Sequence, residues 1–231
     1  MKTTQKRDLC ILGFSGIAKS IIDTVLQQKL YPKDNIIIVD KDHSNLNGES
    51  YRGVNVFSEE KIEQKSDFIC AFYKPYDIFS RSSYIETFIQ KHSLEPISII
   101  DEFAHISDTS EINSGTYIGP GVIVDSDAKI GEHNIILFNS VISRECFLDN
   151  NNFISANVTL KGSITVDKDN FISSNCVITK DLGRYNFINS SVLITTSGHS
   201  RKIIGNKANS SIMDLPEENS RAEKKLRFLN P

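Results

Sequence analysis

Residues 117–148 read YIGPGVIVDSDAKIGEHNIILFNSVISRECFL. Within them Ile118, Val124, Ile130, Ile136, Ile142 and Leu148 fall six residues apart. The spacing continues back to Ile106 and Ile112 and forward to Ile154, Leu160, Val166, Ile172 and Ile178, thirteen aliphatic positions in a row. Aliphatic residues (Ile, Val, Leu) make up roughly a fifth of an ordinary chain, so chance does not produce such a run. A period of six fits neither the 3.6 residues of a helical turn nor the two-residue alternation of a half-buried strand. It is the period of a hexapeptide β-helix, in which each side gives one inward aliphatic to a prism core and three sides close a coil. A β-sandwich would instead alternate, with turn signals every ~8–12 residues. The positions two before the core aliphatics, among them Ser140, Cys146, Asn152, Val158, Asn170 and Cys176, are mostly small or polar, as corners require. The period breaks at KDLGRYNF (180–187), where Arg184 takes the expected core slot, and resumes at Ile188 and Ile194. A loop or a shift in the coil accounts for the break.

Before this stretch the pattern is different. DLCIL (8–12) reads as a buried strand, GFSG as a turn, and IAKSIIDTVLQQK as a helix with Ile17, Ile21, Val25 and Leu26 on one face. NIIIVD (35–40), SDFICAF (66–72) and ISIID (97–101) read as three more strands, with RSSYIETFIQKH (81–92) as a second helix. Strands alternating with helices predict a small Rossmann-like parallel-sheet α/β domain over 1–101. The solenoid then covers 102–200 and a polar tail 201–231, in which PEENSRAEKKLRF (216–228) has the charge order of a short capping helix.

The composition excludes several classes. A net charge of −3 gives no general attraction to nucleic acid or anionic lipid, so a small-molecule substrate is expected. No stretch reaches the roughly 18 apolar residues of a membrane span. The four cysteines are scattered and form no C-x-x-C pair, which suits buried thiols in the cytoplasm. Between 106 and 198 His133 is the only histidine, so the three-histidine centre of a metal-dependent hexapeptide enzyme is not expected, and no metal is implied. The remaining histidines, His43, His92, His105 and His199, are expected at the surface or in a flexible segment.

Gly13, Phe14, Ser15 and Gly16 join a strand to a helix, where backbone N–H groups and the helix dipole favour an anion. Two glycines fall short of the G-x-G-x-x-G fingerprint, and an empty tight turn would need the same residues. Asp40 ends the second strand, a position from which a carboxylate accepts hydrogen bonds from a base or ribose.

The combination of ILGFSGIAKSII at the start, SVISREC in the repeats and KIIGNKA near the end resembles the bacterial sugar acyltransferases related to sialic acid O-acetyltransferases. Within that group the chain is most similar to N-acetyltransferases acting on nucleotide-linked amino sugars, over residues 7–208. The resemblance implies a left-handed β-helix, a homotrimer, acetyl-CoA lying between neighbouring coils, and a nucleotide-sugar whose phosphates meet Gly13–Gly16 and whose base meets Asp40. The family's general base is a histidine in S-V-I-x-H-E-C, which here reads S-V-I-S-R-E-C and places Arg144 at that position beside a retained Glu145. The family's asparagine seven residues earlier falls on Leu137, and its histidine nine residues later on Phe153. Gly162, eighteen residues after Arg144, matches the glycine whose N–H supports the acetyl carbonyl. KIIGNKA places Gly205 and Lys207 near the expected CoA path, with Lys207 standing where the family has proline.

A guanidinium stays protonated at neutral pH and cannot serve as a base. Losing base assistance costs a hydroxyl acceptor roughly 10²–10⁴-fold in rate. A sugar amine is less demanding. It titrates near an α-amino group, at about 7.7–8.0, so a useful neutral fraction exists at pH 7. The sequence therefore predicts amine acylation with Gly162 supporting the oxyanion and Arg144 and Glu145 orienting the acceptor. An ion pair between Arg144 and Glu145 would make the carboxylate a poor base. The alternative is a nucleotide-sugar-binding homologue whose catalytic constellation has decayed, since a fold outlives its function.

Overall fold

A computed structural model describes residues 7–40, 48–63, 65–73 and 80–205, together with the backbone of 212–214. The first part is a six-stranded sheet with β1 (Leu9–Leu12) at its centre. The order is β3 (Ser50–Tyr51), β4 (Val54–Phe57), β2 (Ile36–Val39), β1, β5 (Asp67–Cys70), β6 (Glu95–Pro96). All neighbours are parallel except β3 and β4, which form a hairpin. Parallel pairs need crossovers, and helices α1 (Gly16–Gln27) and α2 (Arg81–His92) supply them.

Alternation along β1 divides the core. Leu9 and Ile11 face α1, whereas Cys10 and Leu12 face Phe68, Ile85 and Phe88 on the α2 side. The hairpin of β3 and β4 has no counterpart in the expected elements. Its turn, Arg52–Gly53, has positive φ at both residues, a geometry that Asn-Gly advertises in sequence and Arg-Gly does not. The expected strand 97–101 is corrected by the pairing. Glu95–Pro96 closes the first sheet beside β5, while β7 (Ile99–Ile100) pairs with Tyr117–Ile118 and begins the next structure.

From β7 onward the chain is a parallel β-solenoid of two-residue strands in three sheets. Successive coils register eighteen residues apart, as in Ile123 on Val141 and Lys129 on Phe147. In the strands from His105–Ile106 to Val177–Ile178 the second residue points inward, and these residues are the thirteen six-spaced aliphatics. From Ile118 to Ile178 all eleven are buried in one cluster, with Ile106 and Ile112 partly buried at its open end. From Gly115 to Asn175 each corner is turned by a residue of positive φ, near +60 at Asn139, Glu145, Asn151, Asn157 and Ser163, immediately before the inward corner residue. Asn and Asp tolerate this region better than most side chains, which is why the corners are rich in them.

The break near 184 is a two-residue deletion. Leu182, buried at the core, bridges Val166 sixteen residues back, and Arg184 is exposed rather than in the core slot. The shortened corner is held by Asp181, whose carboxylate accepts the Thr165 N–H at 2.8 Å. The expected helix 216–228 lies outside the described residues.

The first part packs on one face of the solenoid. Tyr117, Ile135 and Phe153, outward residues of that face, join the α1-side core. Thr24 donates to Asp101 Oδ2 at 2.7 Å, and Gln28 donates to the Ile100 carbonyl. Tyr73 lies over Phe153 and Phe171, which stack with Phe187 as a ladder at 4.8–4.9 Å.

Candidate functional site

The β1–α1 turn is built by its own sequence. Gly13 sits at φ +95 with its N–H on the Val39 carbonyl, and a Cβ there would lie 2.8 Å from Phe72 Cβ. Ser15 caps α1, accepting the Ala18 N–H, and its hydroxyl donates to the Ala71 carbonyl at 2.9 Å. The Phe14 N–H donates to Asp40 Oδ2 at 2.7 Å, so the two sequence-identified elements meet. Gly16 differs from Gly13. It is exposed, and an added Cβ would meet nothing within 4 Å, so packing does not demand a glycine there. Lys19, one turn along α1, places Nζ 5.2 Å from the Phe14 ring centroid and 5.7 Å from that of Tyr51, adding a cation to the rim. The sequence reading missed Lys19, although its place three residues after Gly16 puts it on the same helix face.

These glycines separate by substitution. Gly13→Ala is expected to lose about 1–3 kcal/mol in urea unfolding, because the alanine meets both an unfavourable φ and Phe72. Gly16→Ala is expected to stay within about 0.5 kcal/mol of the parent in the same measurement.

Arg144, Glu145 and Gly162 are brought together at one solenoid corner. Gly162 stacks directly on Arg144, so that a Cβ would lie 2.9 Å from the Arg144 carbonyl oxygen and 3.4 Å from its Cγ. Ser163 N–H donates to that carbonyl at 3.0 Å, while among the described residues the Gly162 N–H has no acceptor. No ion pair joins Arg144 to Glu145 among the described residues. Glu145 instead accepts the Ser163 hydroxyl from the next coil at 2.6 Å, at two exposed positions whose backbones both have φ near +58. On the coil before, the Ser126 N–H holds the Asp125 carboxyl below its usual range, with the Ser126 hydroxyl and then Arg144 assisting. Cys146, beneath this corner, is no nucleophile, because burial pushes its thiol up to about 12.

Leu137 begins a different corner, and Phe153 is buried under Tyr73. Gly205 follows the strand Lys202–Ile204 near Asn189, on the same edge of the solenoid as Leu137. Lys207 and His43 lie outside the described residues. His92, expected at the surface, is half-buried, packing on Phe88 at 4.8 Å and contacting Glu59. Among the described residues no group of three or more His, Cys, Asp or Glu is placed to hold a metal ion.

A triangular prism sets these pieces apart. The Arg144 corner joins the two uncovered sheets, so it is the edge opposite the face on which the first part packs. Within one chain the β1–α1 turn and the Arg144 corner therefore lie on opposite sides of the solenoid.

No protein-family profile matches the chain, and no curated protein matches it by sequence. Solved structures do match. A mutant of perosamine N-acetyltransferase from Caulobacter crescentus, in complex with CoA and GDP-perosamine, has a TM-score of 0.75 at 17% identity, over 89% of this chain and 96% of that one. The acetyltransferase domain of PglB from Neisseria gonorrhoeae has a TM-score of 0.75 at 16% identity, over 90% of this chain and 100% of that one. WeeI from Acinetobacter baumannii scores 0.58 at 17% identity with the same coverages. This chain has their fold, an α/β part followed by a parallel β-solenoid.

Proposed function

We propose that the protein is an acyl-CoA-dependent N-acyltransferase, with acetyl-CoA as donor, acting on the amino group of a nucleotide-linked amino sugar in cytoplasmic surface-glycan synthesis. The observation that carries this reading is the Arg144 corner, where a Gly162 N–H without an acceptor among the described residues, an exposed guanidinium and a carboxylate held by Ser163 share one edge. The fold it sits in is that of an N-acetyltransferase bound to CoA and GDP-perosamine.

Residues 1–101 would bind the nucleotide-sugar, phosphates at Gly13, Phe14, Ser15 and Gly16 with Lys19 beside them, and the base or ribose at Asp40. The proposed left-handed transferase solenoid, expected over 102–200, runs from β7 to the rung Lys202–Ile204 on Phe187–Ile188, and Gly205 and Lys207 follow it along the CoA path. The acceptor amine attacks the thioester carbonyl carbon, a C–N bond forms, the C–S bond breaks, and CoA leaves as its thiol after taking up a proton. The Gly162 N–H stabilises the oxyanion formed on the way. Arg144 orients the acceptor, and Glu145, anchored by Ser163 and free of Arg144, receives the proton that the amine loses. Because turn and corner lie on opposite sides of one prism, the reading requires a neighbouring copy. A homotrimer meets that need, and the exposed outward residues Ile123, Val177 and Leu193 of one uncovered sheet give it an apolar seam.

The test is release of free thiol from acetyl-CoA in the presence of UDP-, dTDP- and GDP-linked amino sugars. Release with at least one acceptor is expected, and Arg144→His is expected to lower it, since the site is adapted to arginine. A second reading, a decayed nucleotide-sugar-binding homologue, is favoured by Phe153, which stands at the family's second histidine and has been absorbed into packing. Nucleotide-sugar binding without thiol release from any acceptor, or a gain of release in Arg144→His, would establish it.

A further inference from the structure

The two parts of the molecule meet at one guanidinium. Arg81, the first residue of α2, is only 2% exposed. Its Nε donates to the Phe72 carbonyl at 2.7 Å, and its Nη1 donates to the His133 carbonyl at 3.1 Å and to Asn151 Oδ1. Asn151 Nδ2 passes the connection on to Asp169 Oδ1 and to the Ser82 hydroxyl. The guanidinium also lies 5.1 Å from the ring centroid of Tyr73, whose hydroxyl donates to the Asn170 carbonyl.

On its other side the network reaches the nucleotide turn. Phe72, fixed by Arg81, is the residue against which Gly13 is packed, and Ala71 beside it receives the Ser15 hydroxyl. Burying a charge is costly unless it is compensated. Here the compensation is Asp169, 1% exposed and reached through Asn151, while among the described residues Arg81 Nη2 and Asp169 Oδ2 have no hydrogen-bond partner. An apolar residue would fill this joint without those costs. What a planar fork adds is a fixed angle between groups on different elements.

We propose that Arg81 is a positioning residue that locks the Gly13–Gly16 turn in a set orientation to the solenoid. The assignment of a nucleotide to that turn rests on the function proposed above, but the mechanical linkage does not. It lets a substitution on the solenoid alter binding at a turn in the other part of the chain.

Two variants test it, Arg81→Met and Asn151→Ala, with Lys129→Ala on the exposed solenoid surface as control. The first readout is amide hydrogen exchange of the Gly13–Gly16 turn in the unliganded protein. Both variants are expected to speed it relative to the parent, and the control is not. The second is titration with UDP, dTDP and GDP, where Kd for whichever binds is expected to rise about 5- to 10-fold in both variants, and non-additively in the double variant. Acetyl-CoA affinity is expected to be unchanged. If Arg81→Met does not fold, Asn151→Ala decides alone. Unchanged exchange at the turn, or a Kd at the parent's value, would overturn the linkage. Accelerated exchange in a protein that binds none of the three nucleotides would support the linkage and remove the nucleotide reading of the turn.

Discussion

Asn152→Ala is expected to lower stability by about 3–5 kcal/mol, far more than its size suggests. Asn134, Asn152, Asn170 and Asn186 occupy the same inward corner on successive coils, and all are fully buried. Each side-chain oxygen accepts the backbone N–H of the next rung: Asn134 from Asn152 at 2.8 Å, Asn152 from Asn170 at 2.9 Å, Asn170 from Asn186 at 2.9 Å. Each side-chain nitrogen closes its own corner, as Asn152 Nδ2 does on the Asp149 carbonyl at 2.8 Å. Alanine at 152 leaves the buried Asn170 N–H and the part-buried Asp149 carbonyl without these partners, and each such orphan costs about 1–3 kcal/mol. Because a coil touches only its neighbours, no distant contact offsets the loss. Urea unfolding of Asn152→Ala beside Asn150→Ala, an exposed neighbour in the same corner, measures the effect. A loss below about 1 kcal/mol at position 152 would mean that the ladder is incidental to the fold.

The solenoid was legible because its physics is local and repeated. One inward residue per six, read off Ile118 to Ile178, specifies the coil before any contact is known. Leu182 escaped because counting by six from Ile178 lands on Arg184, and a two-residue deletion looks like a loop until Leu182 is seen against Val166. The β3–β4 hairpin escaped because its strands are short and its Arg-Gly turn carries no strong signal. The β1–α1 turn and Asp40 were legible as a strand–turn–helix, and the structure adds the Phe14–Asp40 bond that joins them. At the Arg144 corner, coil arithmetic put Gly162 over Arg144. It could not say that Glu145 would turn to Ser163 rather than to its sequence neighbour, which depends on the positive φ at Glu145 and Ser163. Arg81, His133, Asn151 and Asp169 gave no signal at all, since they span 88 residues and meet only because the two parts dock.

His133 makes that joint sensitive to acid. Its ring is largely buried beside Arg81, and burial first, then the guanidinium, lowers its pKa from 6.5 to about 4. Among the described residues the charged groups at the joint are Arg81 on α2 and Asp169 two coils along, the latter engaged by Asn151 and Ser82, and His133 Nδ1 has no hydrogen-bond partner. The sign follows from proton binding. Between pH 4 and 6.5 the unfolded chain carries a proton on this histidine that the folded chain does not, so stability rises with pH across that window. The contribution is complete above about 6.5 and is lost as the pH falls toward 4, on the order of 3 kcal/mol over the interval. His133→Asn removes the titrating ring and keeps a residue suited to the φ of +55 at this corner, as Asn139, Asn151 and Asn157 do at theirs. Unfolding free energies at pH 4.5 and 7 should therefore differ less in His133→Asn than in the parent, by about 2 kcal/mol or more. An equal pH dependence in the two proteins would show that His133 takes up its proton without disturbing the joint, and the acid sensitivity would then belong to other groups.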